Sequence, residues 1–160
     1  MRKSTFAAPI LAALIGLAGC ASGSSPYGNF VPDSPVAYDQ KMADDAVKRL
    51  ITVYPPARTR FDLQQITPDA FGAALVASLR TKGYALMEFK PAPTDQISAA
   101  DAATIAKPLP PTLTLRYVLD LDPGSKLYRV TLLVGSQSLT RAYLAQNGSV
   151  VPAGSWVRKE

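Results

Sequence analysis

Two carboxylates that share one face of a strand are the first candidates for catalysis. Asp120 and Asp122 end a run in which apolar residues alternate with others, so their side chains would project from the same side. Two carboxylates on one face could serve a hydrolase as general acid and base. The sequence Asp122-Pro123-Gly124-Ser125 is also typical of a turn, where aspartate has a structural role. We favour the turn interpretation and predict no catalytic residue.

The composition excludes several other chemistries. The 160 residues include no histidine and a single cysteine, Cys20. A Ser-His-Asp or Cys-His nucleophilic centre is therefore impossible, and the usual nitrogen and sulfur ligands of a metal are missing. No glycine-rich loop has the spacing of a Walker or dinucleotide site. We predict that the protein is not an enzyme and holds neither a metal nor a cofactor.

Basic and aromatic residues alternate in three places, as they do in proteins that bind single-stranded nucleic acid: Arg116-Tyr117, Tyr128-Arg129 and Arg141-Ala142-Tyr143. Neighbours on a strand face opposite ways, which predicts tyrosines in the core and arginines on the surface. The 17 basic and 12 acidic residues would become 15 and 12 if Arg2 and Lys3 left with a signal peptide. This mild excess does not call for nucleic acid, and we expect no direct binding to it.

The residue with the clearest chemistry is Cys20. A basic start, Met1-Arg2-Lys3, and an apolar stretch from Phe6 to Leu17 precede the sequence Leu17-Ala18-Gly19-Cys20, which is a lipoprotein signal. The stretch is shorter than the ~20 residues that cross a bilayer as a helix. We predict that residues 1–19 are cleaved and that acyl groups on Cys20 attach the mature chain to a membrane. The alternative is an ordinary signal peptide followed by a chance cysteine.

The residues around this cysteine predict a location. Ala21 follows it, whereas aspartate there is usual in lipoproteins kept at the inner membrane, so we expect the outer membrane, with the domain facing the periplasm. Residues 20–33 have the small, polar composition of a flexible tether, in which no packed element is expected. Tyr27 and Phe30 are exceptions. They would dock on the domain or enter the lipid interface, or else form a recognition segment for a partner.

Residues 34–160 are predicted to form a single domain that opens with a helix. Ser34-Pro35 suggests an N-cap and a first-turn proline. Apolar residues spaced on one face, from Ala43 to Tyr54, continue the helix over 35–54. A strand–helix–strand unit follows over 58–90. Its helix would start at the cap signal Thr67-Pro68-Asp69 and stop at Gly83. The buried stripe of this helix is predicted to be Phe71, Ala74, Leu75, Ser78 and Leu79.

The second half of the chain predicts antiparallel strands. After a proline-rich connection over 91–111, with a short helix at 98–106 as an option, a strand ending near Asp122 would form a hairpin. Two- and four-residue loops both satisfy its apolar pattern, and we favour four. A third strand is predicted at 137–145 and a last one at 149–158. A two-residue turn between them would set Trp156 opposite Leu139. The expected fold is α+β, an antiparallel β-meander with two helices packed on one face.

Six segments along the chain together point to a known family: Leu17-Ala-Gly-Cys20, Tyr27-Gly-Asn-Phe30, Tyr54-Pro-Pro-Ala-Arg58, Thr67-Pro-Asp-Ala-Phe-Gly-Ala-Ala-Leu75, Lys82-Gly-Tyr-Ala-Leu86 and Gly154-Ser-Trp156. In these segments and their order, the chain resembles the conjugal transfer lipoprotein family TrbH over essentially its whole length. The resemblance implies a part in mating-pair formation, in which an envelope-spanning type IV secretion apparatus passes plasmid DNA between cells. Only Cys20 carries over as a functional residue, and the family is not known for enzymatic activity.

Three hypotheses follow. The first is a non-enzymatic outer-membrane lipoprotein of a conjugation apparatus, which contacts other subunits through a sheet edge or the proline-rich connection. The second is a general envelope lipoprotein that binds cell wall or assists assembly of an outer-membrane protein. The third is a hydrolase that uses Asp120 and Asp122. Plasmid transfer genes beside this one would favour the first.

Overall fold

The computed structural model describes residues 25–90 and 111–160. The predicted signal peptide, Cys20 and almost all of the 91–111 connection, with its optional helix, lie outside those residues. The described elements are β1 (Gly28–Asn29), α1 (Val36–Val53), β2 (Arg60–Leu63), α2 (Ala70–Thr81), β3 (Ala85–Met87), β4 (Thr112–Leu121), β5 (Tyr128–Val134), β6 (Gln137–Gln146), β7 (Ser149–Pro152) and β8 (Val157–Lys159).

The strands form one mixed sheet, and the predicted α+β class is confirmed. The strand order is β3-β2-β4-β5-β6-β7, with β1 beside β4 and β8 beside β6. The meander expected for the whole sheet holds from β4 onwards, where pairing is antiparallel. In contrast, β2 runs parallel to both β3 and β4, and β1 runs parallel to β4. The parallel β2–β3 pair follows from the crossover through α2, since a helix between two neighbouring strands returns the chain in the same direction.

Both helices pack on the same face of the sheet, as predicted. The buried stripe of α1 starts at Asp39 and Met42, one turn before the residues that the apolar spacing identified, and the predicted stripe of α2 is wholly buried. These helices cover the inward residues of the strands, among them Phe61, Tyr117 and Leu132, which are fully buried. Each large apolar side chain so buried contributes about 1.5–3 kcal/mol.

The helix ends differ from the prediction at their N-caps. Pro35, not Ser34, is the N-cap of α1, and no side chain caps that helix. In α2 the cap is Asp69, two residues after the predicted Thr67, and its carboxylate accepts a hydrogen bond of 2.8 Å from the backbone N–H of Gly72. Both prolines thus lie before the first helical turn. Gly83 ends α2 with a φ of 83°, the left-handed conformation expected there.

The β4–β5 hairpin has the predicted register. Tyr117 pairs with Leu132, an odd position with an even one. The backbone N–H of Asp122 donates to Leu127 O at 2.9 Å, which leaves the predicted four residues, 123–126, in the loop. The Asn147-Gly148 turn that joins β6 to β7 is also confirmed. Its two residues have φ values of 52° and 69°, as a type I′ turn requires.

The predicted last strand is divided in two, and the expected pairing of Trp156 is wrong. After Pro152 the chain leaves the sheet through Gly154, whose φ is 143°, and rejoins β6 as β8. Leu139 therefore lies opposite Arg158, two residues further along than the simple hairpin places it. The two additional residues free Trp156 from the strand ladder, and its indole turns towards α1.

The second half of the segment expected to be a tether contacts the sheet. Gly28 and Asn29 pair with Val118 and Leu119 of β4, and the backbone N–H of Phe30 donates to Leu119 O at 2.8 Å. Tyr27 docks on the domain through Arg116, which agrees with the first of the interpretations given for it above. Since Val31 packs against the core as well, ordered contacts begin before residue 34.

Candidate functional site

The two carboxylates singled out for catalysis serve separate structural contacts. Asp120 accepts hydrogen bonds from Arg129 on the neighbouring strand, the shorter at 2.9 Å. Asp122 closes its own turn by accepting from the Ser125 hydroxyl at 2.6 Å and from the Ser125 backbone N–H at 2.7 Å. These hydrogen bonds hold the pKa of Asp122 below its ordinary value. The arrangement matches the turn interpretation.

A polar cluster, here called the Asp45 cluster, joins α1 to the end of the chain. One carboxylate oxygen of Asp45 accepts hydrogen bonds from Arg141 at 2.9 Å, the Tyr143 hydroxyl at 2.7 Å and the Trp156 indole N–H at 3.2 Å. Arg141 also donates to the backbone carbonyl of Gly154 at 2.8 Å. The cluster therefore holds the detour between β7 and β8 against the first helix.

This cluster corrects one prediction about the basic and aromatic pairs. Arg141 and Tyr143 are two residues apart, so they share a strand face, and the guanidinium lies 5.9 Å from the tyrosine ring centre. Both point towards α1, whereas the arginine was expected on the opposite surface. Burial raises the pKa of the Tyr143 hydroxyl, and its hydrogen bond to Asp45 adds to the shift. For the Arg116-Tyr117 pair the expectation is right, because Tyr117 is in the core and Arg116 is on the other face.

A second polar cluster, the helix-start cluster, lies where α1 and α2 begin. The buried Tyr117 hydroxyl donates to Asp69, whose other oxygen caps α2. Gln65 accepts from the backbone N–H of Tyr117 at 2.9 Å. Asp39 is 1% exposed, and burial, together with the charge of Asp69, raises its pKa. Burial is also the main reason that the pKa of Tyr117 is raised.

The sequence held a signal for this second cluster that the apolar pattern alone did not reveal. Extending the α1 stripe backwards by one turn places Asp39 on the buried face, where a carboxylate calls for explanation. The backbone of α2 at Gly72 also lies very close to the side chains of Thr67 and Tyr117. A Cβ atom at Gly72 would lie 2.9 Å from the Cβ of Thr67 and would overlap the Tyr117 hydroxyl. The cluster therefore positions the start of α2 against the sheet.

One open groove and one broad face remain on the surface of the described residues. The groove, of about 300 Å³, lies between the exposed sides of α1 and α2 and is lined in part by Asp44, Lys48 and Lys82. The broad face is the side of the sheet opposite the helices, here called the outer face. No described element covers it, and four half-buried residues form its centre: Val118, Thr131, Leu133 and Thr140.

The described residues contain neither a cluster of metal ligands nor a membrane-spanning helix. Across residues 25–90 and 111–160, no three or more Asp, Glu, His or Cys side chains gather in a way that could hold a metal ion. Neither helix in that part of the chain has the length and apolarity needed to cross a membrane. The predicted lipid attachment site, Cys20, lies outside these residues, so the structure does not test it.

Fold and clusters together define a small α+β domain whose polar side chains connect its own elements and whose sheet has one face that no described element covers. The family model for the conjugal transfer protein TrbH matches residues 24–160, and the chain belongs to this family. No curated protein and no solved structure matches the chain. The resemblance drawn from the sequence is confirmed, and the protein is a component of conjugal transfer.

Proposed function

We propose that this protein is a lipid-anchored, non-enzymatic subunit of the envelope-spanning conjugation apparatus. Acyl groups on Cys20 hold it at the outer membrane, with the domain in the periplasm, where it contacts other subunits. The observation that carries the proposal is the family match, which covers residues 24–160 and so begins four residues after this cysteine.

Support for the anchor comes from the sequence. The Leu17-Ala18-Gly19-Cys20 signal follows a short apolar stretch, and Ala21 lacks the acidic side chain that goes with retention at the inner membrane. A single acyl chain binds a membrane reversibly, whereas two signals anchor a protein stably. Three chains on Cys20 would hold the domain permanently.

Support for a structural role comes from the placement of the acidic residues. Asp120 pairs with Arg129, Asp122 closes a turn, and Asp45 joins the first helix to the end of the chain. A subunit that others assemble upon benefits from such fixed contacts. At one edge of the sheet, β3 pairs with β2 and with no other described strand, and Met87 in β3 is 51% exposed. Such an edge can accept a strand from a partner.

The test is plasmid transfer from donor cells that lack the gene and are complemented with variants. We expect transfer to be lost on deletion and restored by the wild-type gene. The double variant Asp120→Asn/Asp122→Asn should restore it equally, since neither residue would have a catalytic task. Cys20→Ser should fail to restore it, because the serine hydroxyl cannot form the thioether.

Four results would contradict the proposal. Normal transfer from the deletion strain would show that the apparatus does not need the protein. An envelope defect without a transfer defect would favour the hypothesis of a general envelope lipoprotein. Loss of transfer by the double asparagine variant, at normal protein level, would restore the hydrolase hypothesis. A pull-down from donor cells that returned no other transfer protein would contradict the proposed contacts with other subunits.

A further inference from the structure

The first strand fixes where the chain enters the domain. Gly28 pairs with Val118, and Tyr27 just before it lies under the guanidinium of Arg116, 4.8 Å from the ring centre. Arg116 alternates with the buried Leu115 and Tyr117, so it projects from the outer face. Tyr27, which leads into the first strand, therefore lies beside the outer face and not beside the helices.

The distance from this point to the proposed anchor is short. Cys20 precedes the first described residue, Ser25, by five residues. Five fully extended residues span at most about 17 Å, whereas a domain of this size is roughly 35 Å across. The helices lie on the far side of the sheet, and each helix adds about 10 Å of thickness. An anchor at Cys20 thus brings the outer face nearest to the membrane.

The charges of the outer face suit an anionic lipid surface. Strand alternation and pairing place four basic side chains there, Arg60, Arg116, Arg129 and Lys159, against two acidic ones, Asp62 and Asp120. Asp120 is bound by Arg129 and Asp62 by Gln64. The remaining basic side chains have no acidic partner among the described residues.

We propose that the outer face of the sheet lies on the phosphate headgroups of the bilayer in which the acyl chains of Cys20 are inserted. This inference rests on the proposed function, since without the anchor nothing brings the domain to lipid. The short neutral residues at the centre of the face, such as Thr131 and Thr140, allow the surrounding arginines and Lys159 to reach the headgroups. The helix layer then faces the periplasm and is free for other subunits.

The test uses the full mature protein in vesicles of phosphatidylethanolamine and phosphatidylglycerol whose headgroups carry a nitroxide quencher. Since Cys20 is the one cysteine and would be acylated, a thiol-reactive fluorophore reports a single introduced cysteine. Two exposed positions on the outer face, Thr114→Cys and Val157→Cys, are compared with two exposed positions on the helices, Thr52→Cys and Ala77→Cys. Intact mass first establishes the acyl groups.

We expect loss of fluorescence at both outer-face labels and little loss at both helix labels. Lys159→Glu should reduce the loss at Thr114→Cys, whereas Lys82→Glu, an equal change of charge on the helix layer, should not. Equal quenching of all four labels, or stronger quenching on the helices, in acylated protein would overturn the orientation and leave the anchor intact. A mass without acyl groups would overturn the anchor itself and this inference with it.

Discussion

Removing the carboxylate of Asp45 should detach the end of the chain from the first helix. In Asp45→Ala, three donors lose their shared acceptor: Arg141, Tyr143 and Trp156. The substitution removes no large apolar group, so the change in stability reports the cluster itself.

The expected loss can be worked out from the exposure of the partners. Arg141 is 19% exposed in its side chain, so it recovers part of its hydration when the ion pair is lost. Tyr143 is 1% exposed, and a buried hydroxyl without a partner costs about 1–3 kcal/mol. A charge-assisted hydrogen bond contributes about 1.5–3 kcal/mol. Together these give a loss of roughly 3 kcal/mol, which lowers the melting temperature of a domain of this size by roughly 10 °C.

The assay is thermal and urea unfolding followed by tryptophan fluorescence, because Trp156 is the sole tryptophan and belongs to the cluster. Asp44→Ala is the matched control. It makes the same change on the same helix, but the carboxylate of Asp44 accepts an exposed hydrogen bond from Gln40. We therefore expect the free energy of unfolding to change by no more than about 0.5 kcal/mol. Equal stability of the two variants, or an unchanged emission maximum in folded Asp45→Ala, would refute the role assigned to Asp45.

Three further predictions concern the remaining contacts. Burial raises the pKa of Asp39, so stability is lost as the pH rises above the ordinary value of 3.8; melting curves should show Asp39→Asn more stable than wild type at pH 7, with the difference shrinking towards pH 4. Gly72→Ala should cost about 2 kcal/mol in urea unfolding through overlap with Tyr117, and a Tyr117→Phe background should recover part of it. Asn147→Ala should cost about 1 kcal/mol by its positive φ, whereas Asn147→Gly should not.

Local chemistry determined the parts of the fold that the sequence predicted. Alternation fixed which residues of β4 and β5 are buried, and the Asn147-Gly148 dipeptide fixed the turn between β6 and β7. The same reasoning failed where two local solutions compete. Thr67 and Asp69 can each cap a helix, and in the fold Asp69 both caps α2 and accepts a hydrogen bond from the distant Tyr117.

The polar clusters could not be predicted from the sequence for a different reason. Asp45 precedes Arg141 by 96 residues and Trp156 by 111, and the contact of Trp156 with Asp45 depends on the two-residue detour around Gly154. The alternation of apolar residues along a strand does not predict such a detour. In a similar way, docking on the domain is one of the interpretations that the sequence allows for Tyr27, but its partner Arg116 can be named only from the position of β1 beside β4.

The mass of the N-terminal peptide, from protein purified out of the outer-membrane fraction of donor cells, tests the account most directly. We expect a peptide that begins at Cys20 and carries a diacylglycerol and a further acyl chain. A free thiol at Cys20, or residues 1–19 still attached in protein recovered from the soluble fraction, would contradict the lipid-anchored role.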